Sequence, residues 1–236
     1  MRVLVAIAVT VGAVVLLGST SGIPGDADAP GDGGSGTDCP WLTDRVTDLS
    51  PAQERNAKII TLVAEANDVG RTGAAIAVAA SLAESNLLNT ANDGTSTLID
   101  SLEGRQLTDN ERAVARRSMN RPHDDVGNNL DSVGLFQQRP MSGWGPPEIL
   151  IDPAESAELF FSELVKVPGW RTMSPWDAAQ AVQGSPSSDG EIYRASYARA
   201  LDVVTDVTGA LPDERLPPEQ ATAITSGLCN GSALHG

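Results

Sequence analysis

One stretch constrains this chain more than any other: Gly70-Arg-Thr-Gly-Ala-Ala-Ile-Ala-Val-Ala-Ala-Ser-Leu-Ala-Glu84-Ser85. Ala74, Ala75, Ile76, Val78, Ala79 and Leu82 leave no polar face, so a helix here is apolar nearly all round and has to be covered on every side. Thr72 is the expected cap, after a break at Gly70. A buried central helix needs other helices around it. The rest of the sequence supplies them. Ser50-Pro51-Ala52-Gln53 is a capping box with proline at the first helical position, and Ile59, Leu62, Val63 and Ala66 carry a helix from Pro51 to about Asn67. Asp152-Pro153-Ala154-Glu155 opens another, with Ala157, Phe160, Phe161, Leu164 and Val165 as its core face. Ser174-Pro175-Trp176-Asp177 starts a helix to about Gln183, and Tyr193, Tyr197, Ala200, Val204 and Val207 form the stripe of a last long helix that stops at Gly209. Residues 89–131 are polar and broken by Gly and Pro, apart from the capping box Thr108-Asp-Asn-Glu111, which predicts a short helix to about Met119. Alternating strand patterns are scarce, so the expected fold is mainly α, a single domain over residues 49–209.

The ends predict export. Met1-Arg2, the apolar run Val3 to Leu17 and Gly18-Ser-Thr-Ser-Gly22 follow the basic, apolar, small-residue order of a secretory signal. A run of fifteen residues is shorter than the roughly 20 that span a bilayer as a helix. A removed signal, residues 1–29 with Ala27-Asp28-Ala29 at the cleavage site, is therefore favoured over an uncleaved anchor, which is the one route to a membrane read here. Residues 30–48, rich in Gly, Pro and Asp, form a flexible linker. The two cysteines, Cys39 and Cys229, sit at opposite ends of the domain, and in an exported chain an even pair is expected to be bridged. That bond ties the tail 210–236 back and contributes on the order of 4–5 kcal/mol in the chain-entropy picture. A net charge of -15 argues against nucleic acid or an anionic membrane face as partner, because both need a basic patch. The only adjacent basic pair is Arg116-Arg117.

Glu84 is the chemically odd residue. It ends the most apolar helix, where both the negative end of the helix dipole and the apolar surroundings disfavour a carboxylate and raise its pKa. A raised carboxyl suits a general acid, although a lone glutamate at a helix end is more often a solvated surface group. Downstream, Asp131-Ser-Val-Gly134-Leu-Phe-Gln137-Gln138-Arg-Pro140 and Gly143-Trp144-Gly145 mix apolar side chains with glutamines and glycines without a helical stripe. Gly134 allows close backbone approach to a ligand, and Gln137 and Gln138 offer the paired donors and acceptors that read sugar hydroxyls and acetamides. A structural loop with its amides bonded to backbone fits the same pattern, and residue types alone leave both open. Trp144, Trp170 and Trp176 are candidates for stacking on sugar rings or for the core, with Trp144 the strongest candidate for stacking. His123 and His235 with two paired cysteines give too few ligands for a metal. No Ser-His-Asp or Cys-His set is apparent.

Leu82-Ala-Glu84-Ser85 followed by Gly134-Leu-Phe-Gln137 resembles the Glu-Ser and Gly-Leu-Met-Gln motifs of soluble lytic transglycosylases and goose-type lysozymes. The wider set Pro122-His-Asp124, Ser132 to Gln138, Gly143-Trp-Gly145, Asp152-Pro153, Val167-Pro-Gly-Trp170 and Ala178 to Gln183 is similar to exported actinobacterial cell-wall proteins with that lysozyme-like domain. The resemblance covers roughly residues 50–207. It implies a lysozyme-like fold with a substrate groove between the Glu84 helix and the 131–145 segment, in a secreted or wall-associated protein whose partner is the glycan strand of peptidoglycan. In that family the glutamate matching Glu84 protonates the oxygen between N-acetylmuramic acid and N-acetylglucosamine and then acts as base, without cofactor or metal. A second acid favours hydrolysis. Asp131 and Asp124 are the candidates, Asp131 foremost. Ser85, Ser132, Gln137, Gln138, Trp144, Gln183 and Tyr193 are the expected substrate-binding set. One departure stands out: where the family carries Ala-Tyr-Asn-Ala-Gly, with a tyrosine that helps position the glutamate, this chain has Ala181-Val182-Gln183-Gly184-Ser185. Tyr193 or Tyr197 is left to fill that role. Without it, an inactive wall-binding or scaffolding protein is the alternative, and a helical interaction domain with no glycan affinity is a further one.

Overall fold

Ser50 caps the first helix, α1 (Pro51–Ala66), through the reciprocal pair that the sequence predicts: its hydroxyl accepts from the Gln53 N–H, and the Gln53 side chain accepts from the Ser50 N–H. The computed structural model describes residues 48–184 and 190–208, which belong to one unit spanning 36–236. The expected signal or anchor, nearly all of the linker, Cys39, Cys229 and the tail lie outside the described residues. Among the described residues no helix is long and apolar enough to cross a membrane.

The apolar stretch becomes α2 (Gly70–Ser85). Its start differs from expectation. Val69 is the N-cap, with no side-chain bond, and Thr72 lies inside the first turn. Positive φ at Asp68 (52°) and Gly70 (65°) turns the chain so tightly out of α1 that no capping segment intervenes. Every residue from Gly73 to Leu82 is buried, and α2 packs against four other helices, as a helix without a polar face must. Its alanines and Gly73, which lies against the Trp170 ring, allow neighbours to approach closely.

The polar stretch beyond α2 is folded, but not by long elements. Short strands β1 (Thr90–Asn92), β2 (Ile99–Asp100) and β3 (Arg105–Gln106) lead to α3 (Asp109–Arg116), which opens on the Thr108–Glu111 capping box. A 3-10 turn (Arg117–Asn120), β4 (Asp125–Gly127), a second such turn (Pro140–Ser142) and α4 (Pro147–Leu150) follow. β1 pairs in parallel with β4, Thr90 opposite Asp125, and β2 pairs antiparallel with β3. Two or three residues are too few to show a period of two, so side-chain bonds to distant backbone do the holding. Buried Asn92 donates to the carbonyls of Leu130 (3.1 Å) and Ser132 (3.0 Å), and Asn89 to Ile151 (2.7 Å), around a small core of Ala91, Val133, Leu150 and Ile151.

Asp152 caps α5 (Pro153–Leu164) by accepting from the N–H groups of Ala154 and Glu155. Ala157, Phe160, Phe161 and Leu164 form its buried face as expected, whereas Val165 is the exposed C-cap. Phe160 stacks on Phe136 with centroids 4.8 Å apart. The helices α6 (Pro175–Gln183) and α7 (Glu191–Thr208) complete the layer, and α7 covers α2 most extensively. Tyr193, Ala200, Val204 and Val207 of α7 are buried, while Tyr197 is only partly buried and meets Trp176 edge-on. The described residues are thus mainly α.

Gly134, at φ +80°, packs so that a Cβ would collide with the Leu150 carbonyl, whereas Gly143, at φ +87°, has open space around it. Gly134→Ala is expected to cost about 2–4 kcal/mol, strain plus collision, and Gly143→Ala only the strain of about 1 kcal/mol. Thermal unfolding of the two variants separates them.

Candidate active site

Glu84 and Ser85 end α2, and three other parts of the chain converge on them. The Tyr193 hydroxyl, from α7, donates to Glu84 Oε1 at 2.7 Å. From α6, the Gln183 amide hydrogen-bonds the Glu84 carboxylate and donates through Nε2 to the Phe136 carbonyl at 2.8 Å. Ser85 donates to the Leu135 carbonyl at 2.7 Å. The Glu-Ser helix end and the Gly134-Leu-Phe-Gln137 turn, 50 residues apart in sequence, are therefore stitched together by Ser85 and Gln183. Gln137 sits in that turn at φ 48°, half-buried, its amide donating to Gly134 O.

Burial pushes the Glu84 carboxyl above its ordinary value, and the bonds from Tyr193 and Gln183 pull it only partly back. Neither partner is a cation. A carboxyl that is half-buried, bonded to neutral donors and, among the described residues, without an ion pair retains its proton further up the pH scale, which is the property a general acid needs. A tyrosine hydroxyl thus reaches Glu84 from α7 and not from the 181–185 segment, where Val182 is a core residue.

The structure distributes the other expected site residues unevenly. Asp131 corrects the expectation of a second catalytic carboxylate. It is fully buried, with Oδ1 bonded to Arg139 Nε (2.5 Å) and Oδ2 to the Met141 N–H (2.7 Å). Arg139 also binds Asp100 Oδ2 at 2.6 Å, so the three side chains clamp the β2–β3 hairpin to the 131–141 segment. No oxygen of Asp131 faces solvent to activate water. Asp124 is likewise engaged, by Arg55 (2.5 Å), Asn56 (2.8 Å) and the Asn89 N–H (3.0 Å). Ser132 and Gln138 are buried, against the expectation that they line a groove, and the Gln138 amide has no hydrogen-bond partner among the described residues. Trp170 is buried and Trp176 packs on Tyr197; Trp144 is half-buried against both apolar clusters. Arg117 pairs with Glu148 and Arg116 donates to the Asp93 carbonyl, so the basic pair is internally engaged. A cavity of about 360 Å³ beside Arg116, Met119 and Asn120 shares no lining residue with the Glu84 cluster. Among the described residues no cluster of His, Cys, Asp and Glu is arranged to hold a metal.

Sequence reasoning missed Gln53 and Asn56 of α1, buried polar residues that bond the carbonyls of Asn86 (2.8 Å) and Leu87 (2.7 Å) just beyond the Glu84-Ser85 helix end. A signal existed. Asn56 falls on the same helical stripe as Ile60 and Val63, an interior position for an amide. Neither a scan against protein-family models nor a search of curated proteins finds a match for this chain.

A carboxyl whose folded-state pKa is raised binds more protons folded than unfolded, so its contribution to stability declines as pH rises from the ordinary value, about 4.3, through the raised one. Glu84→Gln keeps the acceptor for Tyr193 and removes that penalty. The variant is expected to melt higher than the native protein at pH 7 and at the same temperature near pH 4. Equal melting temperatures at both pH values would show that Glu84 is solvated like an ordinary surface glutamate.

Proposed function

We propose that this chain is an exported enzyme of the lysozyme-like superfamily that cleaves peptidoglycan glycan strands between N-acetylmuramic acid and N-acetylglucosamine, using Glu84 as both acid and base. The observation that carries the reading is Glu84, bonded to Tyr193 and with its pKa raised by burial, at the meeting of the Glu-Ser helix end and the Gly-Leu-Phe-Gln turn. A groove between this helix end and the 131–145 segment receives the glycan, with Gln137, Gln183 and Trp144 the half-buried residues available to it. A wall-facing location, a lysozyme-like fold and a Cys39–Cys229 bridge belong to the same proposal.

Protonated Glu84 donates to the glycosidic oxygen as the bond to the muramyl C1 breaks, and positive charge develops on that ring. The resulting carboxylate then takes a proton from the nucleophile that attacks C1. Glycosidases that hydrolyse with a carboxyl pair use the second carboxylate either to activate water, with inversion, or as a nucleophile, with retention. Here both candidates, Asp131 and Asp124, are tied up in bonds to Arg139 and Arg55. This favours the muramyl 6-hydroxyl as the nucleophile, closing a 1,6-anhydro ring with no water consumed. Proton transfer alone is asked of the protein, so no cofactor enters. Val182, the feature that points to an inactive wall-binding relative, loses weight because Tyr193 delivers a hydroxyl to the same carboxyl.

Purified protein incubated with peptidoglycan sacculi is expected to release soluble fragments whose masses match anhydro ends, and Glu84→Gln none. Tyr193→Phe removes a bond that lowers the Glu84 pKa, so its upper pH limb should move to higher pH while kcat falls about 10–100-fold from poorer positioning. Absence of fragments from the native protein, or undiminished release by Glu84→Gln, overturns the reading. Reducing ends in place of anhydro ends overturn only the choice of nucleophile.

A further inference from the structure

The turn that follows the acid has an unusual backbone. Asn86 (φ 52°) and Leu87 (φ 60°) are consecutive left-handed residues, and neither is glycine. Leucine in that region costs about 1–2 kcal/mol, so the surroundings have to enforce it. The Leu87 side chain is fully buried in the main core, which fixes one end. α1 fixes the other. Gln53 Nε2 donates to the Asn86 carbonyl at 2.8 Å, and Asn56 Nδ2 donates to the Leu87 carbonyl at 2.7 Å. The same Asn56 nitrogen donates to Asp124 Oδ2 at 2.8 Å, and that oxygen also accepts from the Asn89 N–H at 3.0 Å. Asp124 returns a bond through its own N–H to the Asn89 carbonyl at 2.8 Å, while Arg55 holds Oδ1 at 2.5 Å. One carboxylate thus grips the turn on both sides, through Asn56 at residue 87 and directly at residue 89.

We propose that Asn56 and Asp124 are positioning residues for Glu84: by locking the left-handed turn 86–89 they fix the last turn of α2 and hold the Glu84 carboxyl between Tyr193 and Gln183. The activity readouts rest on the proposed function, whereas the geometry does not. Helix C-termini fray, and here Asn86 and Leu87 are bolted to α1 and Asn89 to Asp124 instead. Released, Leu87 moves to a right-handed or extended backbone and the final helical turn loosens. Glu84 then gains water and lengthens its bond to Tyr193. Burial works against ionisation of Asp124, yet the bonds from Asn56, Arg55 and the Asn89 N–H, with the charge of Arg55, hold its carboxyl below the ordinary value. The lock is therefore ionised wherever Glu84 titrates. Among the described residues, the groups bearing on Glu84 itself are Tyr193 from α7 and Gln183 from α6, neither charged near neutrality.

The test follows the titration of the Glu84 carboxyl carbon by ¹³C NMR in the native protein, Asp124→Ala, Asn56→Ala and Arg55→Met, with folding checked by amide spectra. Hydration of the released carboxyl removes the largest influence on Glu84, outweighs the lengthened Tyr193 bond, and is expected to lower the midpoint by roughly half a pH unit or more in Asp124→Ala and Asn56→Ala. Arg55→Met, which leaves the Asn56 and Asn89 bonds in place, should move it by less. On peptidoglycan, kcat should fall about tenfold or more, since sub-ångström misplacement of an acid suffices for that, with KM within about twofold and the upper pH limb moved down in step with the NMR midpoint. If either variant that folds titrates Glu84 at the native midpoint, the positioning role is overturned. The milder Asn56→Ala keeps the test decisive should Asp124→Ala not fold. Because the NMR titration needs no substrate, a moved midpoint in a protein that never cleaves peptidoglycan supports the lock and refutes the enzymatic reading separately.

Discussion

Burial of α2 on every side is the constraint on which the rest depends. An alanine-rich helix has little side-chain area, so it gains stability only where neighbours come close enough to exclude water from its whole circumference. The helices α1, α5, α6 and α7 do this, and their arrangement around one axis determines what can surround the axis end. α2 turns polar at Glu84-Ser85, where the surrounding helices also bring in Tyr193, Gln183 and the carbonyls of the 135–136 turn. A carboxyl at the tip of a dry helix inherits that dryness. The raised Glu84 pKa is thus a consequence of packing rather than of any nearby charge.

The part of the chain between α2 and α5 obeys a different rule. It has a small apolar cluster and short strands, and it relies on polar side chains that reach across the sequence: Asn92 to residues 130 and 132, Asn89 to 151, Arg139 to Asp100 and Asp131. A buried ion triad of this kind contributes little net stability relative to an apolar replacement, but loss of one member leaves a buried charge unpaired, at about 3–5 kcal/mol. Its use is geometric. The clamp fixes the 131–141 segment, whose inner turn is the one Ser85 and Gln183 hold.

The two regimes explain what the sequence disclosed. Caps and stripes announce α1, α3, α5, α6 and α7, because each is a local pattern with a local cause: Ser50 with Gln53, Thr108 with Glu111, Asp152 ahead of Phe160 and Phe161. Glu84 is legible for the same reason, since its apolar context is contiguous with it. Asp131 is not. Its role is set by Arg139, eight residues on, and by the company of Asp100, and nothing in Asp-Ser-Val-Gly distinguishes a carboxylate facing a groove from one facing a guanidinium. Tyr193 was one of two tyrosines on a helical stripe. Only the registry of α7 against α2, 109 residues away, decides that its hydroxyl meets Glu84 while Tyr197 turns to Trp176.

A single raised carboxyl also limits the chemistry in a way that two would not. A pair of carboxylates divides the labour, one keeping its proton and one already charged, and the charged member can pull a proton from water at once. In the proposed reaction a lone Glu84 becomes a base only after it has delivered its proton, so its two roles are sequential, and the nucleophile must be in place while the leaving group departs. An intramolecular hydroxyl meets that requirement because its effective concentration is set by covalent geometry, without an ordered water held by the protein. What the proposed reaction then asks of the protein is constancy of position through both steps. Glu84 receives this from Tyr193 and Gln183 on one side and from the bolted turn behind it on the other.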